Sequence, residues 1–304
     1  MFLSIVIPVF NEEAGLLEGV HEVLAALEGI GQPSELVLVD DGSTDHTWSR
    51  IERFAASNGA VKGLRLSRNY GKESAIFAGL SRTIGQHVLV MDADLQHPPD
   101  AIAPMLDSYL KQGYDIIDGV KSNRGSESLW YRWCASAFNR LFSSLSGMNL
   151  SHASDFKIMS RRVVDSLLTL EERGVFFRGL TSWVGFAHGT YEFEVATRRQ
   201  GQGSWSVSQL LQLGANAITS YTSSLLHLVS FLGVLFMLFA VVLGLQTLFN
   251  KLSGQATDGF TTVILLLLVI GAVIMVSLGI IGQYIARIYE EVKRRPRYII
   301  SDEI

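Results

Sequence analysis

Short apolar runs recur through the first third of the chain, each followed by a polar cluster and then by a stretch with apolar residues at helical spacing. Ser4–Ile7, Glu35–Val39, Val61–Leu66 and Val88–Met91 read as buried strands, and Glu12–Glu28, Thr44–Ser57 and Lys72–Gly85 as the helices between them. Strands and helices in that alternation fold as an α/β domain with a doubly wound, mostly parallel sheet, because each helix returns the chain to the start of the next strand. Ligands of such sheets bind at the carboxyl ends of the strands. The polar clusters fall at those ends: Pro8–Glu13, Asp40–Asp45, Ser67–Lys72 and Asp92–Gln96.

The pattern changes in the last third. Residues 225–249 and 262–286 are almost wholly apolar, and each run has the roughly 20 residues needed to cross a bilayer. They predict a two-helix transmembrane hairpin, with a connector near Lys251–Asp258 whose charges balance. Residues 206–224 are nearly uncharged with apolar residues at helical spacing, which predicts an amphipathic helix running along the membrane. The expected organisation is a first domain over 1–205, a juxtamembrane helix over 206–224, two spans within 225–286 and a basic tail over 287–304.

The apolar start MFLSIVIPVF lacks a basic n-region and is interrupted by Pro8, so it reads as a strand rather than a signal peptide. Arg287, Lys293, Arg294, Arg295 and Arg297 follow the second run and obey the positive-inside rule. A multi-pass protein of the cell inner membrane is expected, with its first domain and both termini cytoplasmic. Gly271, Gly279 and Gly282 permit close helix packing, so a homo-oligomer formed through the spans is also expected.

Composition narrows the partners. The formal net charge of −4 offers no basic face for duplex binding, which argues against a nucleic-acid partner. The single cysteine, Cys134, excludes an intramolecular disulfide and fits a reducing compartment.

Asp92-Ala93-Asp94, after the strand Val88–Met91, sets two carboxylates at i and i+2 with Gln96 close by. Mg²⁺ and Mn²⁺ take hard oxygen ligands and bridge to substrate phosphates, so this pattern suits a nucleotide-diphosphate site. Asp40 and Asp41 repel each other at a strand end and are suited to accepting hydrogen bonds from a ribose hydroxyl or a base N–H. Gly42 supplies a turn, and Ser43 or Thr44 is placed to cap the following helix.

Taken together, Ile7–Glu13, Val39–Ser43, Asn69–Lys72 and Asp92–Gln96 resemble the family 2 glycosyltransferases of GT-A-type fold. Ser154–Arg161, Phe177–Leu180, Trp183–Phe186 and the two apolar runs narrow the resemblance to the polyprenyl-phosphate glycosyltransferases, closest to the bactoprenol glucosyltransferases and more distantly to dolichyl-phosphate mannose synthases. The resemblance implies that Pro8, Val9, Phe10, Asn11, Glu12, Asp40 and Asp41 hold the nucleoside, with Lys72 and Asp92 near the nucleotide. It implies Asp92, Asp94 and Gln96 around the Mg²⁺ or Mn²⁺ ion, Asp94 being also catalytic. Asp155 falls beside the acceptor phosphate. A phosphate monoester has a second pKa of about 6 and arrives largely as a dianion, so Asp155 is expected to orient the acceptor or to stabilise charge on the sugar rather than to act as an obligatory base.

Lys121, Arg124, Arg132 and Arg140 are placed to hold the acceptor phosphate, and Leu129–Trp133 interleaves aromatic and basic residues as an interfacial helix does. One departure from the family pattern stands out. Where many relatives have a lysine after an Arg-Gly-Ser run, this chain has Ser204, which leaves Arg198 or Arg199 to neutralise the leaving diphosphate. The expected reaction is inverting transfer of a sugar, glucose from UDP-glucose first among donors, to undecaprenyl or another polyprenyl phosphate at the cytoplasmic face. Another UDP-sugar or GDP-mannose stays open as donor. A processive polysaccharide synthase is disfavoured by the absence of a Gln-x-x-Arg-Trp motif. From another class, a catalytically weak membrane scaffold or flippase partner is encouraged only by Ser204.

Overall fold

The computed structural model describes residues 1–93, 97–122, 154–172, 176–193, 224–253 and 259–304. The first strands and helices alternate as the apolar pattern requires: β1 Leu3–Val9, α1 Glu13–Ile30, β2 Ser34–Asp40, α2 Thr47–Ser57, β3 Val61–Leu66, α3 Lys72–Leu80 and β4 His87–Val90. There follow α4 Ile102–Gln112, β5 Ile116–Lys121, β6 Lys157–Ser160, α5 Arg161–Thr169, α6 Phe177–Trp183, β7 His188–Phe193, α7 Ser224–Leu252, α8 Phe260–Val292 and β8 Ile300–Glu303. The described strands form one eight-stranded sheet of order β7-β5-β6-β4-β1-β2-β3-β8. Its centre, β4-β1-β2-β3, is parallel throughout; β6 runs antiparallel between β4 and β5, β7 runs parallel to β5, and β8 antiparallel to β3. This is the expected α/β, GT-A-like sheet.

The core lies between the sheet and its helices. α1 buries Leu16, Val20, Val23 and Leu27, one helical face, against Leu3, Ile5 and Ile7 of β1 and Leu36 and Leu38 of β2. On the other side α3 packs on β1 and β2 so closely that a Cβ on Gly79 would meet Val6 Cγ1 at 2.4 Å.

Two helix boundaries differ from expectation. α3 ends at Leu80 rather than Gly85, because the backbone groups after it are taken by other partners. Arg161 donates to the carbonyl of Gly85 and the hydroxyl of Thr83, while the buried Glu35 carboxylate accepts from Ile84 N–H and Ser4 O–H. α2 begins at Thr47 rather than Thr44, and neither Ser43 nor Thr44 caps it. Ser43 Oγ instead accepts from Asn11 N–H, and Thr44 N–H donates to Asn11 Oδ1. Those contacts tie the loop after β2 to the loop after β1.

Contacts divide the chain into two compact units, Met1–Ser206 with Arg295–Ile304, and Val207–Arg294. In the second unit α7 and α8 each contain a segment long and apolar enough to cross a membrane, Val229–Gln246 and Val269–Val292. Helix α8 runs to Val292, six residues past the expected end of the span at 286. The basic tail ends in strand β8, which the apolar pattern does not reveal.

Candidate active site

Loops at the carboxyl ends of β1, β2, β3 and β4 build the site. Pro8 and Val9 close β1 in register with Val39 and Asp40, Phe10 is exposed, and Asn11 turns the chain with φ of 52°, a left-handed conformation that asparagine tolerates better than most residues. The Glu12 N–H donates to Thr47 Oγ1 at 3.0 Å and the Glu13 N–H to Asp45 Oδ2 at 3.2 Å. Asp40 is fully buried, and its Oδ1 accepts from Ser43 N–H at 3.0 Å. Asp41 accepts from the N–H groups of Tyr70 and Gly71 at 2.7 and 2.9 Å. Burial raises both carboxyls above the ordinary aspartate range despite those hydrogen bonds. Gly42 has φ of 70°, and a Cβ there would lie 2.4 Å from the Arg68 carbonyl carbon, so glycine alone lets the Asp40–Asp45 loop pack on Arg68–Asn69.

The structure brings together Lys72, Asp92 and Asp155, three residues expected at the site. Lys72 Nζ lies 2.6 Å from Asp155 Oδ2 and 2.6 Å from Asp92 Oδ1. Only the first contact has hydrogen-bond alignment; Asp92 Oδ1 has no hydrogen-bond partner. Arg178, on α6, grips Asp155 with both prongs, Nε to Oδ1 at 2.7 Å and a terminal nitrogen to Oδ2 at 2.8 Å. Burial alone would raise the Asp155 carboxyl, but the Arg178 fork and Lys72 hold it well below the usual carboxylate range.

Arg178 lies in Phe177–Leu180, part of the resemblance, yet its role has no local signal, because the contact with Asp155 spans 23 residues. Glu73, beside Lys72, was also missed. Its Oε2 accepts from Phe177 N–H at 2.7 Å, and burial followed by the nearby Asp155 charge raises it to about 7. His97 was the third. Its Nδ1 accepts from Asp92 N–H at 3.3 Å, and its ring stacks on Phe156 at 4.8 Å, linking the strand-end carboxylate to the Asp155 segment.

Among the other expected residues, Lys121 ends β5 at the same sheet end as Asp92 and is exposed. Asp94, Gln96, Arg124, Arg132, Arg140, Arg198, Arg199 and Ser204 lie outside the described residues. No group of three metal-binding side chains occurs among the described residues. Asp92 nevertheless offers a hard oxygen donor at the strand end, its Oδ1 ion-paired with Lys72.

A doubly wound sheet with carboxylates gathered at the ends of its parallel strands is the arrangement expected of a GT-A glycosyltransferase. The chain belongs to glycosyltransferase family 2, whose model, described as "Glycosyl transferase family 2", matches residues 4–168. The prophage bactoprenol glucosyl transferase homolog of Escherichia coli is 32% identical to it over 303 residues, covering 99% of both chains. The undecaprenyl-phosphate 4-deoxy-4-formamido-L-arabinose transferase of Shewanella sediminis is 37% identical over 309 residues, covering 99% of this chain and 92% of that one. Among solved structures, the glucosyl-3-phosphoglycerate synthase from Mycobacterium tuberculosis with Mn²⁺, UDP-glucose and phosphoglyceric acid matches with a TM-score of 0.48 at 22% identity, over 72% of this chain and 77% of that one.

Proposed function

We propose that this glycosyltransferase moves a sugar, glucose from UDP-glucose first among donors, onto the phosphate of a polyprenyl lipid such as undecaprenyl phosphate. The observation that carries the reading is the ion chain Asp92–Lys72–Asp155–Arg178, which joins the strand-end carboxylate on the donor side to the carboxylate beside the acceptor. Likeness over nearly the whole chain to two relatives named for bactoprenol and undecaprenyl phosphate supports a lipid-phosphate acceptor. So do two helices apolar enough to cross the membrane in which such a lipid dissolves.

Lys72 and Arg178 attract the incoming phosphate dianion, the guanidinium offering a planar fork to its oxygens. Asp155 sets the direction of both cations and, being ionised, favours positive charge growing on the anomeric carbon. In-line attack by a phosphate oxygen on that carbon breaks its bond to the nucleoside diphosphate and inverts the centre. In this reading Asp41 and the Asn11 turn hold the nucleoside. Asp92, with Asp94 and Gln96, would hold Mg²⁺ or Mn²⁺, which when bound compensates charge on the departing diphosphate. Arg198 and Arg199 are the remaining candidates for that charge.

The arrangement proposed is a multi-pass inner-membrane protein with its catalytic unit and termini cytoplasmic. A Cβ on Gly271, Gly279 or Gly282 would meet nothing within 4 Å, so these positions offer a close-approach surface for a second copy.

The test is transfer of radiolabel from a panel of UDP- and GDP-sugars to undecaprenyl phosphate, with and without Mn²⁺ or Mg²⁺, alongside Asp94→Ala. Metal-dependent label in the lipid from one donor, lost in the variant, is expected and names the sugar. No transfer from any donor by folded, membrane-inserted protein sinks the proposal.

A further inference from the structure

Behind Asp155 the core holds a charged cluster that the transfer chemistry does not touch. Lys157, two residues further on in β6, is wholly buried. Its Nζ lies 3.0 Å from Asp118 Oδ1 on β5, donates to Thr181 Oγ1 at 2.6 Å, and sits 5.1 Å from the ring centroid of Phe177. Asp118 Oδ2 faces His188 Nδ1 of β7 at 3.1 Å, and His188 Nε2 faces the Thr181 carbonyl at 3.1 Å. Both ring nitrogens thus face oxygen atoms, which ties His188 to Asp118 on one side and to Thr181 on the other.

A buried ammonium is a costly way to fill a core position, since its desolvation is offset only where partners satisfy it. Methionine would occupy a similar volume without that penalty. What the charged cluster adds is direction, and its contacts converge on one element. The Thr181 hydroxyl, the Thr181 carbonyl and the Phe177 ring all belong to α6, while Glu73 holds the Phe177 N–H. Helix α6 has only seven residues, too few to be stable without tertiary contacts. It carries Arg178, whose fork must meet both oxygens of Asp155.

We propose that Lys157, Asp118 and His188 are positioning residues that lock α6 through Thr181, so that Arg178 holds Asp155 in the orientation the acceptor phosphate requires. The inference rests on the transfer reaction proposed above. Its test uses the full chain in lipid nanodiscs. Thr181→Val removes the hydroxyl to which Lys157 donates at nearly constant shape, and Thr181→Ser keeps it. T181V is expected to speed amide hydrogen exchange across Phe177–Trp183 and to lower kcat about ten- to a hundredfold, the scale set by a misplaced catalytic group. KM for the nucleotide sugar stays as in the wild type, and T181S restores both exchange and kcat. Unchanged exchange in T181V, or a full kcat, overturns the proposal.

If T181V fails to fold, Lys157→Met combined with Asp118→Asn removes the ion pair without leaving a buried charge unpaired. A folded double variant with wild-type kcat and wild-type exchange in α6 overturns the proposal equally. Exchange is read without substrate, so failure of the wild-type protein to transfer any sugar sinks the proposed reaction and is distinguishable from failure of the α6 lock.

Discussion

Asp155 accepts hydrogen bonds from both Lys72 and Arg178, and those cations outweigh a burial that would otherwise raise its carboxyl. Its stabilising pairing is fully present above the unfolded aspartate range and is lost only as pH falls through the depressed folded value. A carboxylate so held is a weak proton acceptor at neutral pH. The expected outcome is a kcat/KM for the lipid phosphate that rises through about pH 6, where the phosphate takes its second charge, and stays level to about pH 8. Proton uptake by Asp155 would instead show as a limb that disappears in Asp155→Asn. Glu73 has the opposite sign. Its folded value of about 7 lies above the ordinary 4.5, so between those pH values the folded state keeps a proton that the unfolded chain has released. Stability therefore falls as pH rises through that window and levels off above it. Glu73→Gln keeps an acceptor for the Phe177 N–H and is expected to flatten the fall, adding about 1–3 kcal/mol at pH 8. Thermal unfolding of both proteins at pH 5 and pH 8 checks it, and parallel pH dependence would refute it. Lys72, Asp155 and the phosphate's own charge were legible along the chain, but the pairing of Asp155 with Lys72 and Arg178 and the burial of Glu73 were not, because Lys72, Asp155 and Arg178 meet across 83 and 23 residues, beyond any spacing rule.

Elements were legible where burial was uniform. The strands β1, β2 and β4 are buried parallel strands and appear as near-continuous apolar runs, whereas β3, VKGLRL, buries Val61, Leu64 and Leu66 around half-buried Lys62 and Arg65; the polar clusters follow at the expected ends. The outer strands carry mixed signals: β5 reads IIDGVK, β7 HGTYEF and β8 ISDE. Charged residues interrupt each run, for reasons specific to the fold, Asp118 being the partner of Lys157 and His188. The crossing of β5 and β6 is where the sheet bears on the site. A Cβ on Gly119 would lie 2.3 Å from Phe156 Cδ1, and Phe156 is fully buried immediately after Asp155. Gly119→Ala must displace that ring, and overpacking of this kind costs about 1–3 kcal/mol. Transfer is expected to fall by more than the stability loss alone explains, because the displaced ring carries Asp155 and the stacked His97 with it. Comparing kcat with the urea midpoint tests this, and a destabilised variant with wild-type kcat would show that the ring moves without the carboxylate.

At the scale of the molecule, the decisive feature is the last strand. The chain leaves the catalytic unit at Ser206 and rejoins it at Arg295, and β8 then pairs with β3, Leu64 opposite Glu303 and Leu66 opposite Ile300. Arg297 anchors the return, its guanidinium 4.7 Å from the Phe77 ring centroid, with a hydrogen bond to the Leu170 carbonyl. A segment whose two ends enter one folded unit must cross any bilayer an even number of times. Two helices long and apolar enough to cross would supply that number, and the basic tail supports the cytoplasmic placement proposed above. The consequence can be measured by labelling. With Cys134→Ser as background, Ser253→Cys, at the end of α7, is expected to react with a membrane-impermeant maleimide in spheroplasts. Asp302→Cys, on the exposed strand β8, is expected to react only after permeabilisation. Labelling of both from outside would place the catalytic unit beyond the reach of cytoplasmic nucleotide sugars, and the proposed reaction would then lack its donor.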